Sequence, residues 1–129
     1  MGGKAKWLLE TADPAALIKA VREARGAKIP YVIIGGGSNV VFFGRLFKGL
    51  IIVYRGRKGQ ALVKIDEKKR ELICSCSLPL TELVKSSVAR GWAGLETLAG
   101  IPGMVGGALV GNAGAYGHYL SEVLDSVSI

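Results

Sequence analysis

Gly94-Leu-Glu-Thr-Leu-Ala-Gly-Ile-Pro-Gly-Met-Val-Gly-Gly-Ala-Leu-Val-Gly-Asn-Ala-Gly-Ala-Tyr-Gly117 holds eight glycines, one proline, one early acidic residue and one late asparagine. The stretch is too apolar for a surface linker. It is also too rich in glycine for an ordinary helix, where each Gly costs about 1 kcal/mol relative to Ala. Glycine lacks a Cβ and tolerates positive φ, so such a backbone suits the close approach of another backbone or of a flat ligand. A ligand cradle and a tightly packed hairpin both fit these residues.

Outward toward the amino end lies a helix, Pro79 to Arg90, with Leu80, Leu83, Val84 and Val88 on one face and Gly91 closing it. Before it, Ala61–Ile65 and Glu71–Cys74 read as a hairpin whose charged turn is Asp66 to Arg70. Cys74 and Cys76 would share a face of a strand, and buried free thiols are the expected state. Two thiols and the single His118 do not make a structural zinc site. Arg55-Gly-Arg-Lys-Gly59 is a polar connector and the candidate subdomain boundary.

The first third reads as strand, helix, strand. Lys4–Glu10 is the first strand. Asp13 is an N-cap with Pro14 at the first helical position. Leu17, Ile18 and Val21 form a helical face that Gly26 ends. Tyr31–Ile34 suits a buried parallel strand, which a right-handed crossover would bring beside the first. Gly35-Gly-Gly-Ser-Asn39 follows at once, at a strand's carboxyl end where three glycines can turn their N–H groups into one anion-binding concavity. The G-x-G-x-x-G fingerprint fails at Val40, and no Gly-Lys-Ser/Thr follows. A plain turn is the alternative. Leu50–Tyr54 is a further strand, and Glu122–Ile129, with Val123, Val127 and Ile129 alternating, reads as a last one. Trp7 and Trp92 are assigned to the core, and His118 to the surface. Glu96 either binds a ribose or holds loop backbone.

The chain has 129 residues, half of them hydrophobic, and a mean hydropathy of +0.36, which suits a globular chain. Seventeen basic against ten acidic residues leave a net charge of +7. Such an excess favours anionic partners, but no aromatic residues interleave with the basic ones to stack on bases, so nucleic acid is not expected. The amino end lacks the apolar core of a signal peptide. Pro102 and the glycines break the longest apolar run, so no membrane span is expected. A cytoplasmic setting is the expectation.

Together, Gly35-Gly-Gly-Ser-Asn39, Gly94-Leu-Glu96, Ala99-Gly-Ile-Pro-Gly103, Gly106-Gly-Ala108 and Asn112-Ala-Gly-Ala-Tyr-Gly117 resemble the UDP-N-acetylenolpyruvoylglucosamine reductases (the MurB family) over almost the whole chain. The resemblance implies an α+β FAD-binding fold of the vanillyl-alcohol oxidase and p-cresol methylhydroxylase type. It implies two subdomains, 1–55 and 56–129, the second incomplete. It implies that Gly35, Gly36, Gly37, Ser38 and Asn39 cradle the FAD pyrophosphate. Gly100, Ile101, Pro102, Gly103, Gly106, Gly107, Asn112, Gly114, Ala115 and Tyr116 would then line the flavin side.

In that family NADPH reduces FAD, which reduces the enolpyruvyl group of a UDP-sugar on the way to peptidoglycan. The family's catalytic Arg, Ser or Cys, and Glu fall in segments beyond the resemblance, so the chain alone is expected to lack activity. No catalytic residue is assigned here. A second chain supplying the substrate domain, or self-association through exposed apolar surface, is the implied partner. A non-catalytic flavin- or protein-binding remnant is the alternative. Tyr119 stands where the family often has Glu. Ser75-Cys76-Ser77 stands where small residues are usual, and the amino end begins at Met1-Gly2-Gly3, inside a family Val-Gly-Gly motif.

Overall fold

A computed structural model describes residues 3–56 and 63–128. Strands β1 (Lys4–Thr11), β2 (Tyr31–Ile34) and β3 (Leu46–Tyr54) form a parallel sheet in the order β1-β3-β2. Helix α1 (Pro14–Gly26) makes the crossover. Its start is chemical: Asp13 Oδ1 accepts from the Ala15 N–H at 2.9 Å, and Pro14 opens the helix. The second half holds the hairpin β4 (Val63–Asp66) and β5 (Glu71–Cys74), then helix α2 (Leu80–Val88), a 3-10 turn at Glu96–Leu98 and the short helix α3 (Val105–Val110). A two-residue hairpin follows, β6 (Gly114–Ala115) and β7 (His118–Tyr119), then a 3-10 turn at Leu120–Glu122. The α+β class holds.

Several local expectations change. β2 does not lie beside β1: the longer β3 takes the centre, where Ile52 is fully buried and Ile51 and Tyr54 are buried. β2 is therefore an edge strand, and Ile33 is 47% exposed rather than buried. Trp7, on the other edge strand, is 41% exposed and carries the Lys6 ammonium 4.2 Å above its ring. Trp92 is half-buried. On α2, Leu80, Leu83 and Val84 face the core, and Val88 is exposed. The glycine-rich stretch does contain a helix, α3, one and a half turns long. Residues 123–128 form no strand, because a strand exists only with a partner and no described strand pairs with them. Ile129, residues 57–59 of the connector, and Ala61 and Leu62 lie outside the described residues.

The main core cluster draws on Leu78, Leu80, Leu83, Val84, Leu98, Val105, Ala108 and Leu120. It sits under the glycine-rich stretch and fixes where that stretch runs. Cys74 is half-buried against it and Cys76 is exposed, so both thiols are free but only one is sheltered. Burial, then the charge of Cys76, pushes the Cys74 thiol upward. Among the described residues no helix is long and apolar enough to cross a membrane, and no group of His, Cys, Asp or Glu could hold a metal ion.

Candidate cofactor site

The two glycine-rich loops, far apart in sequence, meet. The Gly35–Asn39 loop leaves the end of β2, and the Ile101–Met104 segment runs over it. The Ser38 hydroxyl donates to the Pro102 carbonyl at 3.0 Å. A Cβ built on Gly35 would lie 2.9 Å from Met104 Cγ, and one on Gly103 would lie 2.9 Å from Ser38 Oγ. Gly103 has φ +127°, open only to glycine. Glycine is thus required on both sides of the junction, for space at Gly35 and for space and conformation at Gly103.

The second loop is also sewn to the core. The Leu80 N–H donates to the Gly103 carbonyl at 2.9 Å, the Val105 N–H to Leu78 at 2.8 Å, and the Gly106 N–H to Cys76 at 2.8 Å. These bonds hold the segment extended before α3 begins. A Cβ on Gly106 would press on Cys76 Cβ at 2.9 Å, so this glycine serves packing. Gly100, with φ +84°, and Gly107 have nothing within 4 Å of a built Cβ and border open space.

Among the described residues, none of the N–H groups of Gly36, Gly37, Ser38 and Asn39 donates to a protein acceptor. Gly37 has φ +71°, a left-handed turn of the kind found in backbone nests that receive anions. An unpaired donor row on a glycine-rich loop is chemically suited to a diphosphate.

The remaining candidate residues divide. Asn112 Oδ1 accepts from the Ser121 N–H at 3.1 Å, so that side chain holds the chain after the hairpin. Tyr116 and Gly117 make the two-residue turn between β6 and β7, with φ +56° and +84°. Positive φ at both central positions is the geometry that matches strand twist. Tyrosine rarely adopts it, and here it carries a side chain that is 90% exposed. Gly114 gives way to the Tyr119 ring across the hairpin, and Ala115 pairs with His118. Ile101 packs on the core cluster. Glu96 accepts from the Gly94 N–H, so it holds loop backbone. Sequence reasoning missed Met104, whose side chain touches the space of Gly35 and Gly36. Its signal was a large apolar residue between Gly103 and the Val105-Gly106-Gly107 run.

His118 is a surface residue, as expected. Its Nδ1 lies 3.0 Å from Glu122 Oε2, and Glu122 Oε1 accepts from the Tyr119 N–H at 3.0 Å. The His118 hydrogen bond, then the Tyr119 N–H, holds the Glu122 carboxyl below its ordinary value. A carboxyl depressed in the folded state stabilises above its unfolded pKa, and that contribution fades as pH falls through the folded value. His118→Ala is expected to move the Glu122 titration upward toward the ordinary carboxylate range in an NMR pH series. An unmoved midpoint would show that the pair does not hold.

Comparison with known proteins gives the family. The FAD binding domain family matches residues 5–129. The UDP-N-acetylenolpyruvoylglucosamine reductase of Synechococcus sp. (strain JA-3-3Ab) is 37% identical over 129 residues, covering 100% of this chain and 40% of the relative. That of Chloroflexus aurantiacus is 39% identical over 123 residues, covering 95% of this chain and 41% of the relative. The crystal structure of UDP-N-acetylenolpyruvylglucosamine reductase (MurB) from Thermus caldophilus superposes with a TM-score of 0.55 at 25% identity, covering 92% of this chain and 40% of that one. The chain therefore spans well under half the length of these relatives. It belongs to the FAD binding domain family, and nearly its whole length is similar to about two fifths of these UDP-N-acetylenolpyruvoylglucosamine reductases.

Proposed function

We propose that this chain binds FAD across the junction of its two glycine-rich loops. The observation that carries the reading is that junction: an unpaired row of N–H donors beside the place where the two glycine-rich loops pack so closely that Cβ atoms at Gly35 and Gly103 would collide. In this reading Gly35, Gly36, Gly37, Ser38 and Asn39 hold the pyrophosphate. Gly100, Ile101, Pro102, Gly103, Gly106, Gly107, Gly114, Ala115 and Tyr116 line the flavin side, and Asn112 positions the hairpin. Residues 1–55 and 56–129 act as the two FAD-binding subdomains. Bound FAD supplies two-electron hydride chemistry. The chain's own residues bind it, orient it and shield it on one side.

The wider activity follows the same reading. NADPH is the hydride donor and an enolpyruvyl UDP-sugar the acceptor, in a cytoplasmic setting that suits two free thiols. The proton donor and the substrate contacts come from a second polypeptide segment, corresponding to the part of the relatives that this chain does not span. Purified chain incubated with FAD and then desalted is expected to keep a flavin absorbance spectrum near one equivalent. Replacing Gly36 and Gly37 by valine should abolish it. A folded protein that stays colourless at tens of micromolar FAD, with no extractable nucleotide, would end the reading.

The exposed Val110, Tyr116 and Val127 favour a second reading, in which apolar surface drives association. Light scattering at high concentration should then show a mass above that of the monomer, and a clean monomer would remove it.

A further inference from the structure

The strands of a parallel sheet all start at one end, and here that end is basic. Lys4 opens β1, Arg45 immediately precedes β3, Lys48 lies in its first turn of pleat, and Lys28 comes three residues before β2. All four residues are exposed. The acidic residues nearby are engaged elsewhere: Glu10, toward the other end of β1, meets Arg55 at 3.2 Å, and Glu23 on α1 meets Lys19 at 3.9 Å. From Val40 to Lys48 the sequence holds no acidic residue. The same end of the sheet also keeps apolar side chains in water, with Phe43 wholly exposed and Leu46 51% exposed. The backbone places these groups together. The Lys4 N–H donates to the Arg45 carbonyl at 2.9 Å, and Lys4 stands opposite Leu46 in the register of β1 and β3. Phe42 packs on Phe47 of β3, ring centroids 6.0 Å apart, which anchors the turn from behind.

Such a cluster suits a partner that is anionic at its surface, apolar just beneath, and in no need of a matched shape. We propose that the Phe43-Gly44-Arg45-Leu46 turn, flanked by Lys4 of β1 and Lys28 before β2, docks the chain on an anionic lipid bilayer. Headgroup phosphates meet the cations, and the Phe43 ring enters the boundary of the acyl chains. Attraction of cations to an anionic leaflet and insertion of a few apolar side chains are the two parts of peripheral binding. Exposed cations alone would attract any polyanion. The wholly exposed Phe43 beside Leu46 favours a bilayer over a nucleic acid, whose bases call for a row of stacking platforms along a basic groove. This mode of contact needs no membrane-spanning helix. It uses the amino ends of the strands, whereas the Gly35–Asn39 loop leaves the carboxyl end of β2, so it is independent of what that loop binds.

Co-sedimentation of the full chain with lipid vesicles tests it. Binding is expected to vesicles of mixed phosphatidylglycerol and phosphatidylcholine, to weaken as salt is added, and to be absent with phosphatidylcholine alone. Phe43→Ser and Arg45→Glu change exposed residues, with circular dichroism to show that both fold, and each is expected to weaken binding about tenfold or more. Lys69→Glu makes the same change of charge on the turn between β4 and β5 and should cost little. Phe43→Trp should keep the affinity, and its fluorescence should move to shorter wavelength on the vesicles. An unsubstituted chain that stays in solution with the anionic vesicles would overturn the proposal. Equal losses from Arg45→Glu and Lys69→Glu would overturn it too, because net charge alone would then account for the attraction. Phe43→Ser with undiminished vesicle binding would remove the inserted side chain and leave a surface for polyanions such as RNA. A dimer in light scattering that Phe43→Ser dissociates would assign the turn to a second copy of the chain instead.

Discussion

Gly49→Ala is expected to destabilise the chain by about 3 kcal/mol, the upper end of what overpacking costs. Gly49 is buried in the central strand β3. The register slips just there: Ala5 pairs with Phe47 but Trp7 pairs with Leu50, so two residues of β3 face Lys6 alone. That is a bulge, and it draws the Pro30 carbonyl close, where it accepts from the Leu50 N–H at 2.9 Å. A Cβ on Gly49 would strike the Pro30 carbonyl oxygen and sit 2.7 Å from the Phe47 ring. Backbone cannot rotate out of the way as a side chain can, so the strain falls on two of the three parallel strands. The urea midpoint should drop sharply. Gly26→Ala is the control, since nothing lies within 4 Å of its built Cβ; it should leave the midpoint unchanged or raise it slightly. Equal midpoints for the two variants would refute the argument.

Gly103→Ala is expected to weaken FAD binding by about a hundredfold. Two penalties coincide. At φ +127° a side chain costs about 1–3 kcal/mol. The new methyl would also displace Ser38 Oγ, 2.9 Å away, and break its bond to Pro102, a loss of about 1 kcal/mol. Relief requires the two loops to part, which moves the donor row relative to the opposite wall. Ser38→Ala removes the bond but keeps the backbone, so it should cost about tenfold or less. Flavin fluorescence titration reads both, with thermal melting to show that the variants fold. Gly103→Ala with undiminished FAD affinity would place the cofactor somewhere other than this junction.

The sequence shows some of this plainly. Asp13-Pro14 starts a helix because the cap is a bond between neighbours, and α1 begins where the residues say. The glycine loops are legible for a related reason, since a missing Cβ marks where something must come close. Strand order is not local. Tyr31–Ile34 reads as buried because it is apolar, but the sheet places the longer β3 at the centre. Val123 and Val127 alternate as in a strand, yet alternation supplies only half of a ladder. The Ser38–Pro102 bond spans 64 residues, and no pattern in either loop names the other.

That span bears on how the protein assembles. Closing so long an interval is an entropic cost that local structure cannot share, and contacts of this kind tend to form late. A chain with only its parallel sheet in place would have the donor row but no opposite wall, and would remain colourless in FAD. Flavin uptake then reports completed folding rather than guiding it. Ligand at a hundred times its dissociation constant would add about 2.7 kcal/mol to the finished state and none to its precursors.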